Sequence, residues 1–112
     1  MVIRMEKLNE LVDKFNKRVN VDKKLRDEIF DLDRKIVLNF KDDGKYYLHL
    51  ENGSLNFIEP IDDPDIVVEM SVETFNKILS KEIDALSAYI TRKIVVKASL
   101  SDKLLLSELL KN

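Results

Sequence analysis

A chain of 112 residues, with 45% hydrophobic and 36% charged residues, is long enough for one folded core but too short for two. We therefore expect a single domain spanning residues 1–112. The formal net charge of −2 argues against nucleic acid as a partner, and the absence of cysteine excludes disulfides, thiolate metal sites and thiol nucleophiles. Because we find neither a signal peptide nor an apolar run of about 18 residues, we expect a cytoplasmic protein.

The first half of the chain predicts helices followed by a meander of strands. Between Arg4 and Val19, apolar residues recur every three or four positions, which is typical of a helix with one face on a core. A second short helix or turn is expected between Val21 and Asp33, with Ile29 and Phe30 packing inward. Alternating patterns then predict three strands joined by Asp-Gly and Asn-Gly turns, at residues 35–40, 46–51 and 55–58.

The second half predicts a strand, a helix pair, another strand and a terminal helix. Pro60 and Pro64 interrupt the chain before the fourth strand, and Ser71 is well placed to cap the helix that follows. Ser101 or Asp102 is expected to cap the terminal helix, whose leucines occupy more than one narrow stripe and so need partners on several sides. These elements are predicted at residues 66–70, 72–91, 94–98 and 101–111.

Side chains that could perform catalysis are scarce. His49 has no serine, cysteine or acidic partner in a recognisable nucleophile pattern, and we expect it to be an exposed strand residue. The carboxylates of Asp62, Asp63 and Asp65 lack the glycine and the final glutamate of a calcium loop. Two glycines, both in predicted hairpin turns, cannot build a phosphate-binding loop. We therefore expect no enzymatic activity, no cofactor and no metal site.

Large apolar side chains are in excess on the predicted helices of the second half. They either form a close-packed core or line a cavity for an apolar ligand, in which case Ser87, Tyr89 and Thr91 would supply the polar groups that orient it. The candidate lining residues are Phe75, Ile78, Leu79, Leu86, Tyr89, Ile90, Leu104 and Leu105.

The order of the elements and two stretches of sequence resemble the sterol carrier protein type 2 family. The stretches are D-I-V-V-E-M-S-V-E-T-F-N-K-I-L, from Asp65 to Leu79, and K-I-V-V-K-A-S-L, which begins at Lys93. The chain departs from the family pattern at glycine-bearing positions. Arg92 and Ala98 replace two glycines, and Lys81-Glu82 replaces the Ser-Gly pair between the paired helices.

The resemblance implies an α+β fold with a five-stranded, mainly antiparallel sheet, helices packed on one face, and an apolar tunnel between them. It also implies non-enzymatic binding or transfer of a lipid, such as a fatty acyl chain, an acyl-CoA or a sterol- or isoprenoid-like molecule. Contact with a membrane surface would be transient at most. The alternative is a module of the same fold with a closed cavity, whose apolar helices mediate homodimerisation or binding to a protein partner.

Overall fold

The computed structural model describes residues 5–109, and it describes the side chains of residues 6–104. Arg4, where the first helix was predicted to begin, and residues 110–111 of the predicted terminal helix lie outside this range. The helices are α1 (Met5–Val21), α2 (Lys23–Ile29), α3 (Val72–Leu79), α4 (Ala85–Ile90) and α5 (Leu100–Leu109). The strands are β1 (Asp33–Phe40), β2 (Gly44–Glu51), β3 (Ser54–Phe57), β4 (Ile66–Met70) and β5 (Val95–Lys97).

The five strands form one sheet in the order β3-β2-β1-β4-β5, which confirms the predicted α+β class. The β1–β2, β2–β3 and β4–β5 pairs are antiparallel, whereas β1 and β4 are parallel. The sheet is therefore mixed, because the segment after β3 carries the chain back to the end of the sheet at which β1 begins. This arrangement puts β1 in the middle of the sheet.

The two faces of the sheet differ in what covers them. On one face, which we call the helix face, the strand residues pack with residues of α1, α2, α3 and α4 in two hydrophobic clusters. The opposite face, which we call the open face, carries Val37, Tyr47, His49 and Glu69, of which Val37 is buried, with 4% of its surface exposed. The strand alternation seen in the sequence therefore puts the strand members of both hydrophobic clusters on the helix face, while Val37 is a buried residue of the open face.

The core has two parts. The larger cluster joins α1, α3 and α4 to the sheet, and its buried members are Leu8, Phe40, Met70, Val72, Phe75, Ala88 and Ile94. The smaller cluster lies at the other end of α1 and contains Val19, Leu25, Ile29 and Leu50. The prediction that Phe30 packs inward was wrong, since its side chain is 50% exposed. The buried residues of α2 are Leu25 and Ile29, which share one side of the helix, and Phe30 lies about 100° around the axis from Ile29.

Helices α3 and α4 end in the same way. In each, a residue with left-handed backbone follows the helix, Lys81 with φ 64° and Arg92 with φ 64°. The amide of the next residue then donates back into the last turn, from Glu82 to the Lys77 carbonyl at 2.9 Å and from Lys93 to the Ala88 carbonyl at 2.8 Å. This is the Schellman arrangement, which glycine usually closes. Arg92 therefore keeps the backbone conformation suited to the glycine that it replaces.

Replacing Lys81 or Arg92 with glycine should stabilise the protein. Left-handed backbone costs an L-residue about 1–2 kcal/mol, although the cationic side chain recovers part of this at a helix C-terminus. We expect each substitution to raise the free energy of unfolding by about 0.5–1 kcal/mol in urea denaturation. Ser80→Gly is the matched control, because Ser80 has φ −82° and should lose stability with glycine. A loss of stability in both glycine variants would contradict this explanation.

Helix α5 begins differently from the prediction. The Ser99 hydroxyl accepts a hydrogen bond from the Asp102 amide at 3.2 Å, so Ser99 caps the helix rather than Ser101 or Asp102. The Asp102 side chain is instead buried and accepts hydrogen bonds from Arg34 Nε at 3.0 and 3.1 Å. This ion pair attaches the first turn of α5 to β1.

Candidate functional site

A row of four residues crosses the helix face of the sheet. Tyr46 on β2, Leu38 on β1, Val68 on β4 and Val96 on β5 stand opposite one another in register, and we call them the central row. All four are only half-buried, although they pack against the larger core cluster. In the next row, Phe40 and Met70 are 2% and 7% exposed.

The incomplete burial of Leu38 shows best how the helices cover the central row. Val96 lies on an edge strand, where partial exposure is expected, but Leu38 lies at the centre of the middle strand and on the helix face. A close-packed interface would leave such a side chain with almost no accessible surface. The helices therefore cover the central row incompletely.

Helix α3 and the loop after it supply the other side of this region. Ile78, Leu79 and Ile83 are half-buried and pack against the larger cluster that the central row also contacts. Phe75 is only 3% exposed, and its ring packs edge-to-face on Phe40 with the centroids 5.2 Å apart. Phe75 is therefore a buried core residue beneath these half-buried side chains, and it has almost no surface that a ligand could contact. We call the central row with Ile78, Leu79 and Ile83 the apolar site.

One polar group lies at the β2 end of the central row. The Tyr46 hydroxyl donates a hydrogen bond to Asp43 Oδ2 at 2.7 Å. This hydrogen bond, together with burial and the negative charge of Asp43, raises the pKa of Tyr46 to about 12. Tyr46 is therefore neutral at physiological pH and keeps its proton as a hydrogen-bond donor to Asp43.

The titration of Tyr46 can be measured by itself when the other two tyrosines are replaced with phenylalanine. In a Tyr47→Phe, Tyr89→Phe variant, absorbance at the tyrosinate band should rise with a midpoint near pH 12. Asp43→Asn should lower this midpoint toward the ordinary value of about 10. Because the pKa is raised in the folded state, the stabilisation is complete below about pH 10 and is lost as the pH rises toward 12. A midpoint near 10 in the Asp43-containing protein would contradict the assigned hydrogen bond.

The structure brings together only some of the residues predicted to line a cavity. Phe75, Ile78 and Leu79 meet at the larger core cluster, and Leu86 and Tyr89 on α4 are half-buried. Ile90 and Leu104 differ from the expectation, with 69% and 61% of their surfaces exposed. Leu105 belongs to α5, but its side chain is outside the described residues.

The exposure of Ile90 and Leu104 has a simple geometric reason. Ile90 follows the buried Ala88 by two residues, and Leu104 follows the buried Asp102 by two. Two residues correspond to about 200° around a helix, so each side chain points away from the buried side. Both can contact a ligand or a partner only at the molecular surface.

Ser87 and Thr91, which were predicted to orient a ligand, make hydrogen bonds within and next to α4 instead. Thr91 Oγ1 donates to the Ser87 carbonyl at 2.8 Å, and the Ser87 amide donates to Asp84 at 3.1 Å. These hydrogen bonds close the two ends of α4 rather than orient a ligand. The residues that the sequence reading missed as site residues are Leu38, Tyr46, Val68, Val96 and Ile83. Strand alternation groups the first four of these with the other apolar residues on one side of their strands, but it carries no information on how completely the helices cover them.

No helix within residues 5–109 is long and apolar enough to cross a membrane.

Comparisons with known proteins place this fold and chain in a family. The family model described as alkyl sulfatase C-terminal matches residues 2–111. No curated protein sequence matches the chain. Among solved structures, a stereoselective inverting sec-alkylsulfatase from a Pseudomonas species is 19% identical with a TM-score of 0.57. That match covers 76% of this chain but 13% of the sulfatase chain, so the chain spans about an eighth of the sulfatase.

Two structures with SCP2 in their names match over nearly their whole length. Palmitated SCP2L2 from Aedes aegypti is 19% identical with a TM-score of 0.65, and the match covers 90% of this chain and 91% of that one. A ubiquinone synthesis protein, UbiJ-SCP2, is 11% identical with a TM-score of 0.64, over 98% and 93% of the two chains. These likenesses confirm the predicted sterol-carrier-like fold. The chain therefore belongs to the alkyl sulfatase C-terminal family and is an SCP2-like domain.

Proposed function

We propose that this domain binds the long apolar chain of a lipid or alkyl compound in the apolar site, without covalent chemistry. The observation that carries the proposal is the half-buried central row, and above all Leu38 in the middle strand. Apolar pockets with few polar groups are typical of ligand sites for such molecules. The proposed ligand classes are fatty acyl chains, acyl-CoA, and sterol- or isoprenoid-like lipids.

The relatives are compatible with this choice of ligand. One was solved in palmitated form, another is named for alkyl sulfates, and a third for ubiquinone synthesis. Their low identity to this chain supports a shared fold, and the transfer of a ligand class is part of the proposal. An alkyl chain is the chemical feature common to palmitate and an alkyl sulfate.

The energetics favour an alkyl chain over a polar ligand. Each methylene group removed from water contributes about 0.8 kcal/mol, so burial of a few methylenes against the central row is enough for measurable affinity. The one polar group of the row, the Tyr46 hydroxyl, is already hydrogen-bonded to Asp43. A ligand headgroup would therefore be expected at the edge of the site, in contact with solvent.

Two measurements on the purified protein test the proposal. Denaturing extraction followed by mass spectrometry should release a lipid, and unlabelled fatty acids should displace a fluorescent fatty acid saturably. Short-chain analogues provide the control, because a chain shortened by two methylenes should bind about tenfold more weakly. Absence of any co-purified lipid together with absence of saturable displacement would refute the proposal.

A second candidate role is protein interaction through helices α4 and α5. Ile90, Leu100 and Leu104 are 69%, 74% and 61% exposed, and exposed apolar side chains commonly mark interaction surfaces. Homodimerisation would appear as a concentration-dependent mass in sedimentation velocity, and Leu100→Lys with Leu104→Lys should abolish it. A single monomeric species at every concentration would exclude the dimer.

A further inference from the structure

Three ionisable side chains meet on the open face, at the end of the β1–β2 hairpin opposite its turn. The register puts Asp33 directly opposite Glu51, and His49 lies two residues before Glu51 on the same face. His49 Nε2 is 2.5 Å from Asp33 Oδ1, and its Nδ1 is 3.5 Å from Glu51 Oε2. The expectation that His49 is an exposed strand residue was therefore wrong. Its side chain is 20% exposed and lies between two carboxylates.

A neutral imidazole can donate a hydrogen bond to only one of the two carboxylates. A neutral imidazole carries one N–H, and the short contact assigns it to Nε2, which donates to Asp33. The Nδ1 lone pair then faces a carboxylate oxygen of Glu51, so two electron-rich atoms oppose each other at 3.5 Å. Like-charged groups directly opposite on neighbouring strands, as Asp33 and Glu51 are, add further repulsion. Either a proton on Nδ1 or a metal cation between Nδ1 and Glu51 would remove the opposition of these two atoms, so a metal would bind in competition with the proton.

The distances fit a zinc-type ion. Zinc binds imidazole nitrogen at about 2.0–2.1 Å and carboxylate oxygen at about 2.0–2.2 Å, so two ligands at a tetrahedral angle lie about 3.3–3.5 Å apart. The Nδ1 to Glu51 Oε2 distance is 3.5 Å. Asp33 is too close to Nε2 to be a second ligand of the same ion. It instead occupies the position of the carboxylate that commonly orients a metal-bound histidine.

The surroundings leave room for the ion to enter from solvent. The side chain of Glu51 is 52% exposed and that of Asp33 is 66% exposed, so water can complete the coordination. Lys35 stands opposite His49 on the same face, and its positive charge lowers the affinity expected for a cation. The carboxylates of Asp33 and Glu51 carry two negative charges against that one positive charge.

We propose that His49 and Glu51 bind a divalent cation of the zinc class, with Asp33 as the residue that orients the imidazole. The site is on the face of the sheet opposite the apolar site. Cation binding therefore does not depend on lipid binding, and either proposal can be refuted while the other stands.

Zinc titration of tag-free protein tests the proposal. His49 is the only histidine, so its ring resonances report directly on binding, and calorimetry gives the stoichiometry. We expect saturable shifts of the His49 ring with one ion per chain. His49→Gln and Glu51→Gln should abolish saturable binding, and Asp33→Asn should weaken it by about 10–100-fold.

Glu10→Gln is the matched control, because Glu10 is an exposed carboxylate on α1. It should bind zinc as the unsubstituted protein does. Circular dichroism and thermal unfolding must show that each variant is folded; His49→Lys offers a second test if His49→Gln unfolds. The proposal would be overturned by zinc binding that persists in folded His49 variants, or by unchanged His49 resonances up to millimolar zinc.

Discussion

Replacing Phe40 with alanine is expected to lower the free energy of unfolding by about 3–5 kcal/mol. The Phe40 side chain is 2% exposed, at the end of the middle strand of the sheet. Its ring packs edge-to-face against Tyr46 at 5.7 Å and Phe75 at 5.2 Å between centroids. The substitution removes these aromatic contacts and leaves a cavity between the sheet and α3, and both effects destabilise the folded state.

Urea denaturation monitored by circular dichroism measures this loss. Phe30→Ala is the matched control, since Phe30 is half exposed and its loss should cost less than about 1 kcal/mol. Equal losses in the two variants would mean that Phe40 is not a core residue and that the larger hydrophobic cluster is wrongly assigned.

The second large effect is expected at the attachment of α5. Asp102→Asn keeps the size of the side chain but removes the charge that pairs with Arg34. Breaking a fully buried ion pair costs about 3–5 kcal/mol, whereas an exposed pair contributes at most about 1 kcal/mol. The side chain of Asp102 is 9% exposed but that of Arg34 is 30% exposed, so we expect a loss of about 2 kcal/mol.

A double-mutant cycle shows whether the loss of stability in Asp102→Asn comes from the lost interaction with Arg34. Arg34→Gln, Asp102→Asn and the combined variant should give a coupling energy of about 1 kcal/mol or more, because each single change breaks the same interaction. Glu73→Gln, which removes the charge of the exposed pair with Lys77, is the control and should cost at most about 1 kcal/mol. Additive losses for Arg34 and Asp102 would contradict the attachment of α5 through this pair.

Local patterns in the sequence predicted the elements well because their causes are local. Alternation marked the strands, and Asn52 and Gly53 adopt φ values of 54° and 75° in the tight turn that Asn-Gly predicts. The parallel pairing of β1 with β4 depends on how a distant crossover returns to the sheet, which periodicity does not encode. The residue types of Lys81 and Arg92 do not indicate left-handed backbone, because the usual glycine is absent, and only the family comparison marked position 92 as a glycine position.

The cluster around His49 was missed for a specific reason. The first strand was predicted to begin at residue 35, but β1 begins at Asp33. Those two additional residues bring Asp33 opposite Glu51 and next to His49. Strand ends are difficult to locate because a charged residue is compatible with both a strand end and a loop.

The candidate apolar site was predicted in part. The apolar stripe of α3 identified Phe75, Ile78 and Leu79, which pack where the helices meet the sheet. The sequence could not show that Ile90 and Leu104 face outward, because α4 has only six residues and the leucines of α5 are spread around its axis. Such short or broadly apolar helices have no single stripe from which orientation can be read.

We propose that accessible apolar space lies over the central row and accepts an alkyl chain. Val68→Phe places a larger side chain in that row, and Val72→Phe makes the same change at a residue that is 0% exposed. If the space exists, Val68→Phe should leave stability within about 0.5 kcal/mol. Val72→Phe should cost about 1–3 kcal/mol through overpacking.

The most direct measurement is displacement of a fluorescent fatty acid from these two variants and the unsubstituted protein. The added ring of Val68→Phe occupies the volume of two or more methylenes, so fatty-acid affinity should fall by about tenfold or more while the fold stays intact. A Val68→Phe protein that is as destabilised as Val72→Phe, or that is stable and binds fatty acid with unchanged affinity, would contradict an alkyl-chain site over the central row.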